Sequence, residues 1–326
     1  MGQPVILVVK DIFYPVLAAF VVPANLLTIV VLWRGAHGLS RGITRYMLAM
    51  AMAGLLVLLF NVILHHILMD HFPFTFLART SFCRVHTFLK SLGLDISVWF
   101  TVSLTFDRFI AICHQKARLV YCTEQTAIAV ILIVSAIFIL KNVPFLLLFE
   151  PRFTIGSVSW GCSAKAAFFT LPFWEALTWL CSLSTPLMPF VLIIFFNALT
   201  ARFILAASRR RRMLRRGDTT GLGNEDPEIR SRQRSIVLLF TISGSFVLLW
   251  TTVTVSFLST RVVVTHFSQI SHTDPGYIAT ECGRLLMLLY SSANTCIYAV
   301  IQNKFRFRQQ MATYRSKVKA TVIQTD

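Results

Sequence analysis

The chain has 326 residues, 56% of them hydrophobic and only 14% charged, with a mean hydropathy of +0.68. Soluble domains carry about 25% charge, so this composition excludes a soluble globular protein and places most of the chain in lipid. The formal net charge of +17 falls in short segments between apolar runs, which is a membrane-topology pattern and argues against nucleic acid as a partner.

Seven apolar spans follow one another, at 12–33, 46–69, 84–113, 126–149, 173–206, 235–259 and 278–301. Most reach the ~20 residues that a crossing helix needs. A short amphipathic piece follows, Asn303-Lys304-Phe305-Arg306-Phe307-Arg308, whose aromatics and arginines suit a helix lying on the membrane surface. Lys and Arg concentrate after spans one, three and five and in the tail. By the positive-inside rule the N-terminus is then outside the cell and the C-terminus inside. The organisation expected is an extracellular N-terminus over 1–11, a membrane domain over 12–301 that includes a cytoplasmic loop at 208–233, and a surface helix with a cytoplasmic tail over 302–326. The loop's centre, rich in Gly, Asp, Glu and Pro, reads as disordered. The N-terminus shows no cleavable signal peptide and no myristoylation pattern, and the chain has no Asn-x-Ser/Thr sequon.

The most informative stretch runs from Cys83 to His114. At ~1.5 Å per residue, Cys83 and Arg108 are roughly 38 Å apart along a helix, enough to reach both interfaces of a bilayer whose hydrocarbon is about 30 Å thick. An Asp107-Arg108 pair inside such a helix is costly unless paired or in a wet cavity. His65-His66 carries no metal reading, because adjacent helical residues do not share a face and no third ligand is evident. No catalytic constellation appears, and no cofactor is expected.

FDRFIAICH, closing this stretch, resembles the DRY segment of rhodopsin-like (class A) G-protein-coupled receptors. Other segments agree in order and depth. Pro23-Ala24-Asn25-Leu26-Leu27 resembles the motif of span one, Pro189 the proline of span five, and Trp250 in FVLLWTTV the toggle tryptophan of span six. Asn294-Thr295-Cys296-Ile297-Tyr298 resembles NPxxY, and Lys304-Phe305-Arg306 the start of helix 8. PANLLTIVVL, SVWFTVSLTFDRFIAICHQK, SIVLLFTISGSF and NTCIYAVIQNKFR are most similar to the orphan group called probable G-protein coupled receptor 139-like. The chain also departs from the family. Gly54 stands where span two usually has an aspartate, which removes a carboxylate from the sodium pocket it forms with Ser97 and Asn294. Asn197 replaces a tyrosine, and Thr252 and Thr295 replace prolines.

The resemblance implies an all-α membrane protein of the plasma membrane, a seven-transmembrane helix bundle with a short amphipathic helix 8. It also implies a disulfide between Cys83 and Cys162. Asp107 would hold Arg108 at rest, and activation would release Arg108 toward Asn197 and Tyr298, with Trp250 and Asn294 part of the same device. The partners implied are a heterotrimeric G protein, of Gq type as an expectation from the resemblance, arrestin, membrane lipids and a small extracellular ligand. Lys90 lies where amine receptors carry an aspartate, which argues against a cationic amine. Arg284 is expected to face Lys90 across a pocket over Trp250 that Leu94 also lines. Two cations suit a carboxylate, so the ligand expected is acidic or zwitterionic, amino-acid-like and aromatic in one version. Glu281, three residues before Arg284 and on the same helix face, is the residue that could neutralise it. Asp95 lies deeper, and helix spacing pairs it with Lys90 only poorly. Two other readings stay open: a signalling-impaired receptor-like protein, for which Gly54, Thr252 and Thr295 speak, and a small transporter, for which inverted repeats and broken helices are not seen.

Overall fold

In a computed structural model, the structure describes residues 4–34, 40–69, 76–166, 170–215, 236–255 (other than 238 and 253) and 274–290. Helix α1 covers Val5–Trp33. It starts seven residues before the sequence-based boundary at 12, because Val5 to Val9 are apolar and nothing stops the helix there. Pro15 and Pro23 lie inside it, each removing a backbone donor. Helix α2 covers Arg41–Val57 and continues with the wider π winding over Leu58–Met69. Helix α3, Thr80–Cys113, is 34 residues long, roughly 51 Å at ~1.5 Å per residue.

A short helix α4, Gln115–Tyr121, leads to α5, Glu124–Asn142, whose N-cap Thr123 accepts a hydrogen bond from the Thr126 amide. One helical turn, α6, Phe145–Leu148, ends in four short strands, β1 Phe149–Glu150, β2 Phe153–Ile155, β3 Val158–Trp160 and β4 Ser163–Ala164. Helix α7, Pro172–Ser182, passes through a π turn at Leu183–Leu187 into α8, Met188–Arg215. Pro186 lies in that π turn and Pro189 just after it. Two missing donors so close together weaken a regular α ladder there. Helix α9 covers Leu239–Thr252, and α10 covers 275–290.

Five stretches, Val5–Trp33, Arg41–Leu68, Thr80–Cys113, Glu124–Leu148 and Pro172–Arg209, are long and apolar enough to cross a membrane, and Leu239–Thr252 is a shorter apolar helix. The bundle is built around α3. Over its most apolar stretch 61% of α3 is buried, against 11% for the Glu124–Leu148 span, and α3 packs against α2, α5 and α8. The peripheral helices turn large apolar side chains outward, Phe20, Leu132, Leu140 and Leu248 among them. Such faces are favourable in hydrocarbon, where every backbone polar group is satisfied inside a helix.

Three apolar clusters lie along α3. Phe100 and Leu104 join Tyr46, Met47, Met50, Ala127 and Ile242 toward the Arg108 end. Val98 and Val102 join Ile193, Phe246, Trp250 and Tyr290 at mid-depth. Tyr14, Leu17 and Val21 of α1 meet Val57, Leu58 and Val62 and then Leu285 and Leu288.

The strands sit over the Cys83 end. β2 and β3 form an antiparallel hairpin that pairs Phe153 with Trp160, and β1 pairs with β4. A disulfide links Cys83 to Cys162, with Cα atoms 6.4 Å apart. Thr80 Oγ1 donates to the Gly161 carbonyl at 2.8 Å, the Gly161 amide to the Ala78 carbonyl at 2.8 Å, and Arg84 Nε to the Phe149 carbonyl at 2.9 Å. Gly161 has φ +71°, and a Cβ there would come within 2.9 Å of the Arg152 Cβ. The crossing of the hairpin over α3 therefore requires glycine at this position.

Candidate functional site

The polar chemistry of α3 lies at three depths. At the Arg108 end, Arg108 is 5% exposed. Its Nε donates to Asp107 Oδ2 at 3.0 Å, and its Nη2 makes an ion pair with the same oxygen. These two neighbouring side chains close on each other within one helix, so the contact fixes the direction of the guanidinium rather than joining two helices. Phe196 of α8 packs between Phe106, at 5.2 Å, and Phe109, at 5.6 Å. One residue on, Asn197 Oδ1 accepts from Ser243 Oγ at 3.0 Å, tying α8 to α9. Asn197 and Arg108 are thus each engaged with other partners. Asn294, Thr295, Tyr298 and the surface helix at 303–308 lie outside the described residues.

Cys122, in the connection before α5, donates from Sγ to the Asp107 carbonyl at 3.4 Å. Burial pushes this thiol up to about 11, and the Asp107 carboxylate adds to the shift. Only the thiolate alkylates. In membranes, maleimide labelling of Cys122 should therefore rise about tenfold per pH unit from pH 7 to pH 10. At fixed pH, Asp107→Asn should speed labelling, because loss of the carboxylate lowers the thiol's pKa. Labelling that saturates near pH 8.5, like an ordinary thiol, would contradict this, read by mass spectrometry of the Cys122 peptide.

At mid-depth, Trp250 is fully buried, stacked on Phe246 at 5.2 Å, with Tyr290 edge-on to Phe246 at 5.1 Å. Tyr290 Oη donates to Thr101 Oγ1 at 3.1 Å, which joins α10 to α3. Trp250 Nε1 has no hydrogen-bond partner among the described residues. The helix runs on through Thr252, the residue standing where the family has proline.

Toward the Cys83 end, the predicted ligand residues do not form a single cluster. Arg284 Nη1 donates to Glu281 Oε1 at 2.5 Å, so the neutralising pair foreseen from the i,i+3 spacing is present. Glu281 also takes Lys10 Nζ of α1 at 3.2 Å. Sequence reasoning missed Lys10 here because it assigned residues 1–11 to a segment ahead of the first span. Glu281 is 4% exposed at its side chain and Arg284 44%. Lys90 is half-buried, and its carbonyl accepts from Asn61 Nδ2 at 3.2 Å. Leu94 packs against the α1, α2 and α10 cluster and not against Trp250. Tyr14 stacks on His66 at 4.0 Å, His66 meets His65 edge-on at 4.7 Å, and His65 meets His86 at 5.5 Å.

Asp95, which helix spacing pairs only poorly with Lys90, has its partners on other helices. Lys141 of α5 reaches its Oδ2 at 2.8 Å, Asn142 Nδ2 the same oxygen at 2.7 Å, and Thr185 Oγ1 its Oδ1 at 2.6 Å. The signal was in the sequence: two opposite charges, one in each of two spans, are expected to find each other.

An all-helical bundle with five apolar spans among its described residues, centred on one long helix and closed at one end by a disulfide-bound hairpin, defines a multi-pass membrane protein. The family described as 7 transmembrane receptor (rhodopsin family) matches residues 24–298, and the chain belongs to that family. It is therefore a seven-transmembrane-helix receptor of the plasma membrane, a signalling protein of a class that works with a heterotrimeric G protein and a small ligand. Receptors of this family are not enzymes.

Proposed function

We propose that this receptor binds a small acidic or zwitterionic molecule, amino-acid-like and in one version aromatic, at the Cys83 end, with its N-terminus outside the cell. The observation carrying this reading is the charge count at Glu281. One buried carboxylate holds two cations, Lys10 and Arg284, which leaves one positive charge in excess beside a half-exposed guanidinium. Lys90 lies half-buried in the same end of α3. A ligand carboxylate complements that excess, whereas a cationic amine is opposed by it. The site proposed is the Arg284–Glu281–Lys10 group, with Lys90 at the same end of α3, while Trp250 and Leu94 belong to separate clusters below it. Similarity to the 139-like orphan group suggests a Gq-type output. Asp107, Arg108, Asn197, Trp250, Asn294 and Tyr298 carry the signal to the cytoplasmic face, where loop 208–233, helix 8 and the tail over 302–326 meet the G protein, arrestin and membrane lipids.

GTPγS loading on a panel of G proteins, in membranes carrying the full chain, tests this beside an Arg108→Ala control. Aromatic amino acids should raise loading above the control. Arg284→Met and Lys90→Met should each shift the half-maximal concentration up by about tenfold or more, one exposed-to-buried charge contact being worth roughly 1.5–3 kcal/mol. Unchanged potency in both variants removes the carboxylate reading. Flat loading with every G protein, at normal surface levels, instead favours the signalling-impaired alternative, which loading recovered by Gly54→Asp would support.

A further inference from the structure

The network around Asp95 is built to hold one turn of one helix. Asp95 is 2% exposed and accepts from Lys141, Asn142 and Thr185. The Lys141 ammonium has three protons to donate. Its neighbours are Asp95 Oδ2 at 2.8 Å, Ser184 Oγ at 3.1 Å and Thr185 Oγ1 at 3.3 Å. Trp99 of α3 donates its Nε1 to the Ser184 carbonyl at 2.8 Å and packs against Phe138. Apart from the Trp99–Phe138 packing, each of these contacts ends on the π turn Leu183–Leu187 or on the charge pair that reaches it. The turn itself is weak, because Pro186 and the nearby Pro189 bring no backbone donor. Its geometry is therefore held largely by side chains of α3 and α5.

We propose that the Asp95–Lys141 pair is a latch on this π turn that sets the resting balance of the receptor, with Lys141 as a positioning residue. The inference rests on the receptor reading. The helix beyond the turn makes the consequence specific. Helix α8 is continuous from Met188. It carries Ile193 into the Trp250 cluster, Phe196 between the phenylalanines beside Arg108, and Asn197 onto Ser243 of α9. A change of winding at the turn rotates all three together, since a rigid helix passes the rotation along its length. Trp99 lies against both the network and the Trp250 cluster, so the two are in physical contact. In the absence of a carboxylate at Gly54, Asp95 is the acidic group buried in the middle of α3.

The test separates a latch from a merely structural ion pair. Removing one partner alone leaves an unpaired charge in the core and is expected to impair folding, whereas removing both with side chains of similar volume is tolerated. The informative variant is therefore Asp95→Asn with Lys141→Met in the full-length receptor. Its readouts are basal GTPγS loading per receptor at the surface and hydrogen exchange of the amides of Leu183, Ser184, Thr185 and Leu187 in purified receptor. We expect faster exchange at the turn and basal loading raised on the order of tenfold. Thr185→Val with Ser184→Ala, which leaves the charges paired, should change both readouts in the same direction but less, and decides the matter if the double-neutral variant does not reach the surface. Exchange at wild-type rates overturns the latch. Faster exchange with wild-type basal loading, where the wild type does load a G protein, overturns its regulatory role. Faster exchange with no loading by any form, wild type included, leaves the latch standing and counts against the receptor reading instead.

Discussion

Replacing Cys162 by serine should remove most of this receptor from the cell surface. The disulfide with Cys83 closes a segment with a sequence separation of 79 residues. On chain-entropy grounds a loop of that size corresponds to about 4–5 kcal/mol, a large share of the roughly 5–15 kcal/mol that holds a typical domain together. The remaining ties between hairpin and α3 are a few neutral or singly charged hydrogen bonds, those of Thr80, Gly161 and Arg84. Each is worth about 0.5–1.5 kcal/mol, or up to 3 for the charged one, but they act only in the folded state and, unlike the disulfide, do not constrain the unfolded chain. Surface staining should fall by most of its wild-type value in Cys162→Ser and in Cys83→Ser alike. A reductant should lower the thermal midpoint of purified wild type but leave the Cys83→Ser/Cys162→Ser double variant unchanged. Surface levels and midpoints indistinguishable from wild type in the double variant would show that the hydrogen bonds suffice.

The parts of this fold that were legible in the sequence are those set by one chain segment at a time. Hydrophobic runs of membrane length have to be helices, since in lipid no other open structure satisfies its backbone. The described spans therefore overlap the observed helices, with α1, α2 and α3 starting earlier, at Val5, Arg41 and Thr80, and α8 ending later, at Arg215. The Glu281–Arg284 pair was legible for the same reason, because i,i+3 neighbours share a helix face. Strands of two or three residues, by contrast, exist only because their partners are held nearby. Nothing in the sequence from Phe149 to Ala164 separates them from loop. The π winding at Leu58–Met69 and Leu183–Leu187 was also invisible. It depends on what the neighbouring helices offer, and no residue pattern at that spacing specifies it. For Asp95, helix spacing made Lys90 a poor partner, and the partner it does have, Lys141, comes from the packing of α3 against α5. Leu94 illustrates the converse. It lies on α3 one turn below Lys90, but the face it occupies belongs to α1, α2 and α10.

Asp107→Ala should give a receptor that is less stable and more active at rest. Arg108 has 6% of its side chain exposed, and two of its nitrogens engage the Asp107 carboxylate. Take that carboxylate away and a guanidinium remains in the core without its counter-charge, at a cost of about 3–5 kcal/mol. That penalty falls on the state in which Arg108 has no other partner. A state in which it reaches another acceptor, or the G protein, escapes part of it, so the balance moves toward that state. Asp107→Asn keeps an acceptor and loses only the charge, and should lie between. Basal GTPγS loading per receptor should thus rank Asp107→Ala above Asp107→Asn above wild type, with Arg108→Ala at background, and thermal midpoints of the first three should run in the opposite order. The two readouts together matter, because a purely structural ion pair would lower stability without raising loading. Asp107→Ala at the surface, destabilised but no more active than wild type, would assign the pair to structure alone. The signal would then have to be set elsewhere on α3, where the remaining buried charge is Asp95.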